Sequence, residues 1–248
     1  MTRTASLAVA ALALVALAGC ATAAAPEAST SASPSATPAP SAEPTPSASE
    51  EPEGIDTSDW LEYSTHDGDM TYRYPADWTI TSDAQFFDPD AERTDVQDRY
   101  QRWMDTATLT APNGQQLLHS SDFVDVGGAC GDAALPTLHV LATEPAAVRS
   151  IEGESVVIAT LAMAWNDGTF SMGIGITGDH FDGQTMLPAC MINFIFASSD
   201  GGVAMGTHFH LGSEDPLWNI ASLDDATAYM ETDEYATILE ILRSVRTV

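Results

Sequence analysis

The chain of 248 residues contains no lysine, and its positive charge rests on eight arginines against 36 acidic residues, a formal net charge of −28. A surface of that sign repels phosphate backbones and anionic headgroups, which argues against nucleic acid as a partner and against direct adsorption on anionic lipid. It suits cations or a basic partner, and above all it suits solubility. Cysteine is scarce too: Cys20, Cys130 and Cys190 are the whole complement, and their spacing is not that of a zinc site. The hydrolase signatures G-x-S-x-G, S-x-x-K and H-E-x-x-H do not occur. No cofactor is expected.

What is present begins with "MTRTASLAVAALALVALAGC". Arg3 precedes an apolar stretch from Ala5 to Ala18, shorter than the roughly 20 residues a membrane-spanning helix needs. A signal-peptide core fits better. Leu17-Ala18-Gly19-Cys20 resembles the lipobox of bacterial lipoproteins. That resemblance implies a diacylglyceryl thioether on Cys20, removal of residues 1–19 as a signal peptide, and acylation of the new amino group, typically with palmitate-like chains. Two or more chains hold a protein stably on a membrane where one binds reversibly. The expected location is the extracytoplasmic face of the cell membrane.

Residues 20–54 continue with Ala, Ser, Pro, Thr and Glu, without an aromatic or a Val, Ile or Leu. Nothing there offsets the entropy of ordering, so a disordered linker is expected, extended at about 3.1 Å per residue where proline stiffens it.

Residues 55–248 suffice for a single extracytoplasmic domain, with seven arginines against 31 acidic residues. An exported chain meets oxidising conditions, and the even pair Cys130 and Cys190 is read as a disulfide. Period-two alternation dominates. "MTYRY" puts Met70, Tyr72 and Tyr74 on one strand face. Asn113-Gly114, Asp167-Gly168 and Asp200-Gly201-Gly202 each sit between strand-like runs and predict three hairpins. With "LPTLHVLAT" they give a mostly antiparallel sheet of about seven to nine strands. Thr94 with Gln97 fits a capping box ahead of Val96, Tyr100 and Trp103 at helical spacing. Ser222 and Thr232 are candidate N-caps, the second leading an amphipathic helix with Tyr235, Ile238, Leu239 and Leu242 on its apolar stripe. Arg243 and Arg246 fall at its negative end. The fold class is α+β. "GDMTYRYPADWTI" and "YATILEILRSVRTV" resemble the two ends of PsbP/Mog1-type domains. The resemblance implies an antiparallel sheet covered by helices and assigns no catalytic residue.

Candidate chemistry is thin. "GIGITG", Gly173 to Gly178, satisfies G-x-G-x-x-G but falls inside a hairpin strand, where small residues admit a ring or helix close to the sheet. In "THFHL", His208 and His210 would share a strand face and hold a divalent cation, with His119, Asp179, His180 or Asp182 as a third ligand. "DPDAERTD" is similar to an EF-hand opening, but Arg93 and Arg99 stand where glycine and glutamate belong. Trp218 in "EDPLWNI" is expected to be exposed, and the other tryptophans (60, 78, 103 and 165) to be core or edge residues. The function expected is that of a non-enzymatic binding or interaction module of the cell envelope, for a protein or small-molecule ligand. The alternatives are a metal-binding accessory protein using His208 and His210, and then an uncharacterised hydrolase.

Overall fold

Tight turns between alternating strands set this architecture. The computed structural model describes residues 54–87, 102–121, 134–150, 153–197, 202–211 and 217–248. All belong to one unit, Glu51–Val248. Strands β1 (Leu61–Ser64) and β2 (Met70–Tyr74) form the first hairpin. Met70, Tyr72 and Tyr74 are buried while Thr71 and Arg73 turn outward, as the alternation predicts. Next come β3 (Thr79–Phe87), β4 (Arg102–Thr110) and β5 (Gln116–Ser120). The β4–β5 turn contains Asn113-Gly114, with Gly114 at φ +95°, a conformation that favours glycine. β6 (Thr137–Pro145), β7 (Val156–Ala164) and β8 (Phe170–Gly178) follow, β7 and β8 joined through Asp167-Gly168.

The remaining strands are short: β9 (Met186–Pro188), β10 (Ile192–Asn193), β11 (Ile195–Ala197), β12 (Gly202–Gly206), β13 (His210–Leu211) and β14 (Asn219–Ile220). Helices α1 (Leu223–Tyr229) and α2 (Asp233–Arg243) lead to β15 (Arg246–Thr247). The third predicted hairpin is β11–β12, paired from Ala197 opposite Gly202. Among the described residues every strand pairing is antiparallel. The main sheet runs β3-β4-β5-β12-β8-β7-β6-β9, with β11 beside β12 and β14 beside β8. A second sheet has the order β1-β2-β15, and β10 pairs with β13. Short strands bring the total above the expected number.

β7 and β8 are apolar on both faces because both are covered. Val156, Ile158, Met172, Ile174 and Ile176 join a core with Met70, Tyr72, Trp78 and the buried side of α2. Val157, Ala159, Leu161 and Met163 face the other way, toward Phe181, Phe194 and Leu211. Helix α2 begins where Thr232 accepts from the Tyr235 amide, and α1 where Ser222 accepts from Asp225. Both caps are as predicted. The buried positions of α2 are Tyr235, Ile238, Ile241 and Leu242, with Leu239 at the margin of the core. Ile241 thus takes a place in the stripe that the sequence reading gave to Leu239.

Two expectations are corrected. Trp103 lies in β4 opposite Phe86, so no helix runs through it, while Thr94, Val96, Gln97 and Tyr100 lie outside the described residues. Trp218 is 2% exposed. Its ring meets Tyr229 edge-on at 5.9 Å, because β14 docks on β8 and draws the flanking segment into the core.

Candidate functional site

The small sheet and the end of α2 enclose a surface cavity of about 470 Å³. The β1–β2 register sets Glu62 across from Arg73, and the β15–β2 register sets Arg246 across from Thr71. The last turn of α2 adds Arg243, and Trp60 contributes an aromatic wall. Ser244, the C-cap of α2, clamps helix to sheet: its Oγ accepts from the Arg73 amide at 2.8 Å and donates to the Ile241 carbonyl at 2.6 Å.

The three guanidinium groups are committed to different degrees. Arg243 donates Nε and Nη2 to the two carboxylate oxygens of Glu144, each at 2.6 Å, and Nη1 to Glu240. The Glu144 bonds, aided by Glu240, hold this arginine above its already high ordinary pKa. Arg246 donates Nη1 to the carbonyls of Arg243 (2.8 Å) and Val245 (2.7 Å), covering acceptors at the helix end. Arg73 donates Nη2 to the Thr57 carbonyl at 2.6 Å. Among the described residues neither Arg73 nor Arg246 pairs with a carboxylate.

Beneath this cavity lies a buried polar group. Tyr72, on the inward face of β2, bonds through its hydroxyl to His119 Nδ1 at 2.9 Å, and Tyr63 stacks on the Tyr72 ring at 5.2 Å. His119 is 0% exposed, and burial pulls its pKa down to about 4, so it is neutral at pH 7. Its Nε2 has no hydrogen-bond partner. Burial also pushes the Tyr72 hydroxyl far above its ordinary value. Asp105, on the same face of β4, accepts from the His66 amide at 3.0 Å through Oδ1, while its buried Oδ2 has no partner. Burial raises its pKa, and the His66 bond works against the rise. A second, smaller cavity of about 320 Å³ lies by Thr81, Asp83, Thr106, Leu118, His119 and Phe209.

The residues singled out in the sequence have other placements. Phe194 fills the G-x-G-x-x-G stretch: a Cβ on Gly173 would meet its ring at 3.0 Å, and one on Gly175 at 2.5 Å. Gly206, opposite Gly175 in the register, completes this bare patch. Gly173 and Gly175 therefore admit a ring of the protein itself, the structural role expected of them, while Gly178 lies against Glu154 and His180. His208 does not share a strand face with His210. It lies in the bend between β12 and β13, buried, with Nδ1 and the Thr207 hydroxyl 2.9 Å apart. His210 opens β13, and its side chain lies outside the description. His180 is exposed, its Nε2 3.9 Å from Glu154, and His119 is sealed against Tyr72. Among the described residues no three His, Cys, Asp or Glu side chains are grouped to hold a metal ion. Cys190 sits half-buried between β9 and β10. Cys20, Cys130 and the "DPDAERTD" stretch lie outside the described residues.

Sequence reasoning missed the convergence of Arg73, Arg243 and Arg246. The available signal was their scarcity: three of eight arginines fall in the two short segments "YRYP" and "LRSVR". Comparison of the chain with protein-family models, curated proteins and solved structures finds no match.

Proposed function

We propose that this chain is a lipoprotein of the cell envelope, anchored through acyl chains on Cys20 at the extracytoplasmic face of the cell membrane, that displays residues 55–248 as a non-enzymatic binding module. The observation that carries the reading is the order of segments: apolar leader, Leu17-Ala18-Gly19-Cys20, a linker without core-forming residues, then a domain with a filled core. Binding is favoured over catalysis by the division of labour in the site. His119 and Asp105 are buried, His119 bordering only the smaller cavity, whereas the larger cavity presents three guanidinium groups, hydroxyls and Trp60 beside the carboxylates of Glu62 and Glu240. No feature of the described residues favours the metal-binding reading through His208 and His210, or a hydrolase.

The experiment is incorporation of a labelled fatty acid during growth of a bacterial host, followed by the intact mass of the membrane-extracted protein. The expected result is label and lipid mass on a chain that begins at Cys20, and neither in Cys20→Ala. Equal labelling of that variant, or an unmodified Cys20, defeats the anchor.

The architecture is read as α+β, of PsbP/Mog1 type. This is supported by the neighbourhood of the two segments that carry the resemblance: β15 pairs with β2, and α2 packs against the same core as β2. Cys130 and Cys190 are the proposed disulfide pair. Closing that loop stabilises by about 2–4 kcal/mol. Thiol labelling of the unreduced, denatured protein is expected to leave both residues unmodified until a reductant is added; full labelling without reductant refutes the pair.

A further inference from the structure

We propose that the arginine-lined cavity is a binding site for a small molecule bearing an oxyanion, a phosphate or carboxylate group gripped by Arg73 and Arg246. The proposal rests on the binding-module reading and names its site and ligand chemistry. A chain with a net charge of −28 and no lysine has few cations to place, yet three of its eight arginines border one cavity. Scattered arginines would serve solubility no worse. Glu144 and Glu240 offset Arg243, and Glu62 also lines the cavity, so the positive charge offered to an anion there is that of Arg73 and Arg246.

The accounting of donors points the same way. Arg243 is spent on Glu144 and Glu240 and forms a rigid wall. Arg73 and Arg246 each spend one Nη on backbone carbonyls, which fixes the guanidinium planes, and keep charge that no carboxylate of the described residues neutralises. Glu62 stands across the ladder from Arg73 without forming an ion pair with it. A planar fork held in place with N–H groups to spare is the arrangement that recognises planar or tetrahedral oxyanions. The helix end would repel an anion if its carbonyls were bare. Here the Ser244 amide bonds to the carbonyls of Glu240 and Ile241, and Arg246 to that of Arg243. The volume, about 470 Å³, is that of a small-molecule site, and Trp60 offers an apolar surface for the rest of the ligand.

The test is isothermal titration of the full chain, extracted in non-ionic detergent, with inorganic phosphate and separately with citrate. Saturable binding of at least one is expected. Arg73→Gln/Arg246→Gln should weaken it by about tenfold or more, since each variant removes a charge-assisted contact. Thr71→Glu keeps both arginines and adds a negative charge beside them, and it should weaken binding likewise. Arg149→Gln, which removes an arginine outside the cavity, should leave it unchanged. Binding of phosphate but not citrate assigns a phosphorylated ligand, and the reverse a carboxylate. Absence of binding, or binding that survives Thr71→Glu or falls equally with Arg149→Gln, overturns the site. Native mass spectrometry of the same preparations separates the two readings. An organic adduct retained equally by wild type and double variant keeps the binding module and rejects this cavity.

Discussion

Phe194→Ala is expected to cost about 3–5 kcal/mol of folding stability, the usual penalty for emptying a large buried aromatic site. Phe194 is 0% exposed and lies over a patch where the sheet has no side chains of its own. On that side its neighbours are backbone atoms of β8 and β12, hydrogen-bonded in a ladder and poorly able to collapse into the void, while Leu161, Phe181 and Leu211 belong to the same buried cluster. The reciprocal change is as informative. Gly175→Ala would place a Cβ 2.5 Å from the Phe194 Cγ and 2.9 Å from the Met205 carbonyl oxygen. Overpacking of this kind costs about 1–3 kcal/mol, and the backbone contact blocks the cheapest relief. Combining Gly175→Ala with Phe194→Leu should cost less than the sum of the two, because one shortens what the other obstructs. Urea unfolding of the three variants measures this, and strict additivity would mean that the ring and the glycine do not share the space described.

The second large effect is a loss of stability in mild acid caused by His119. Its folded-state pKa is lowered from 6.5 to about 4, so between those values the unfolded chain binds the proton and the folded chain does not. Stability is complete above about pH 6.5 and falls as pH drops toward 4, by about 3 kcal/mol in all. The groups around the ring neither supply nor remove the charge needed to offset this. Tyr72 bonds to Nδ1 and stays protonated, and Tyr63 lies with its ring centroid 5.1 Å from the imidazole. Asp105 acts with opposite sign. Its raised pKa favours the folded state in acid, and that contribution is lost as pH rises through the raised value. Comparing wild type with His119→Gln isolates the histidine, since Gln keeps a partner for the Tyr72 hydroxyl but does not titrate. Urea midpoints from about pH 7.5 down to about pH 4.5 should diverge between the two proteins, with wild type falling more steeply. Parallel curves would show that His119 takes up its proton over the same pH range in the folded and unfolded chains.

Those two sites also show what a sequence can and cannot convey. Asn113-Gly114 and Asp167-Gly168 were legible because a turn is a local event: the residues that need positive φ are the residues that advertise it. Ser222 and Thr232 were legible for the same reason, each capping an amide three residues on. The arginine cavity is the opposite case. Its walls come from the residues before β1, from β1 and β2, from the end of α2 and from β15, and no local pattern connects them. Trp218 was misjudged because its acidic, proline-bearing surroundings say loop, whereas the docking of β14 on β8 is decided by shape far along the chain. His208 and His210 were read as strand neighbours because alternation in "THFHL" is right for a strand. The chain instead bends at His208 to carry β13 back toward β10.

The pairing of β15 with β2 has a bearing on the order of events in synthesis. Ser244 seals to Arg73 across 171 positions of sequence, and Thr247 is matched with Met70. The middle strand of the small sheet thus has one open edge until residue 247 has left the ribosome. A prematurely terminated chain would expose that edge, a template for mispairing and a mark for proteases. β15 therefore closes the small sheet late, and a chain cut short before it leaves that edge of β2 unpaired.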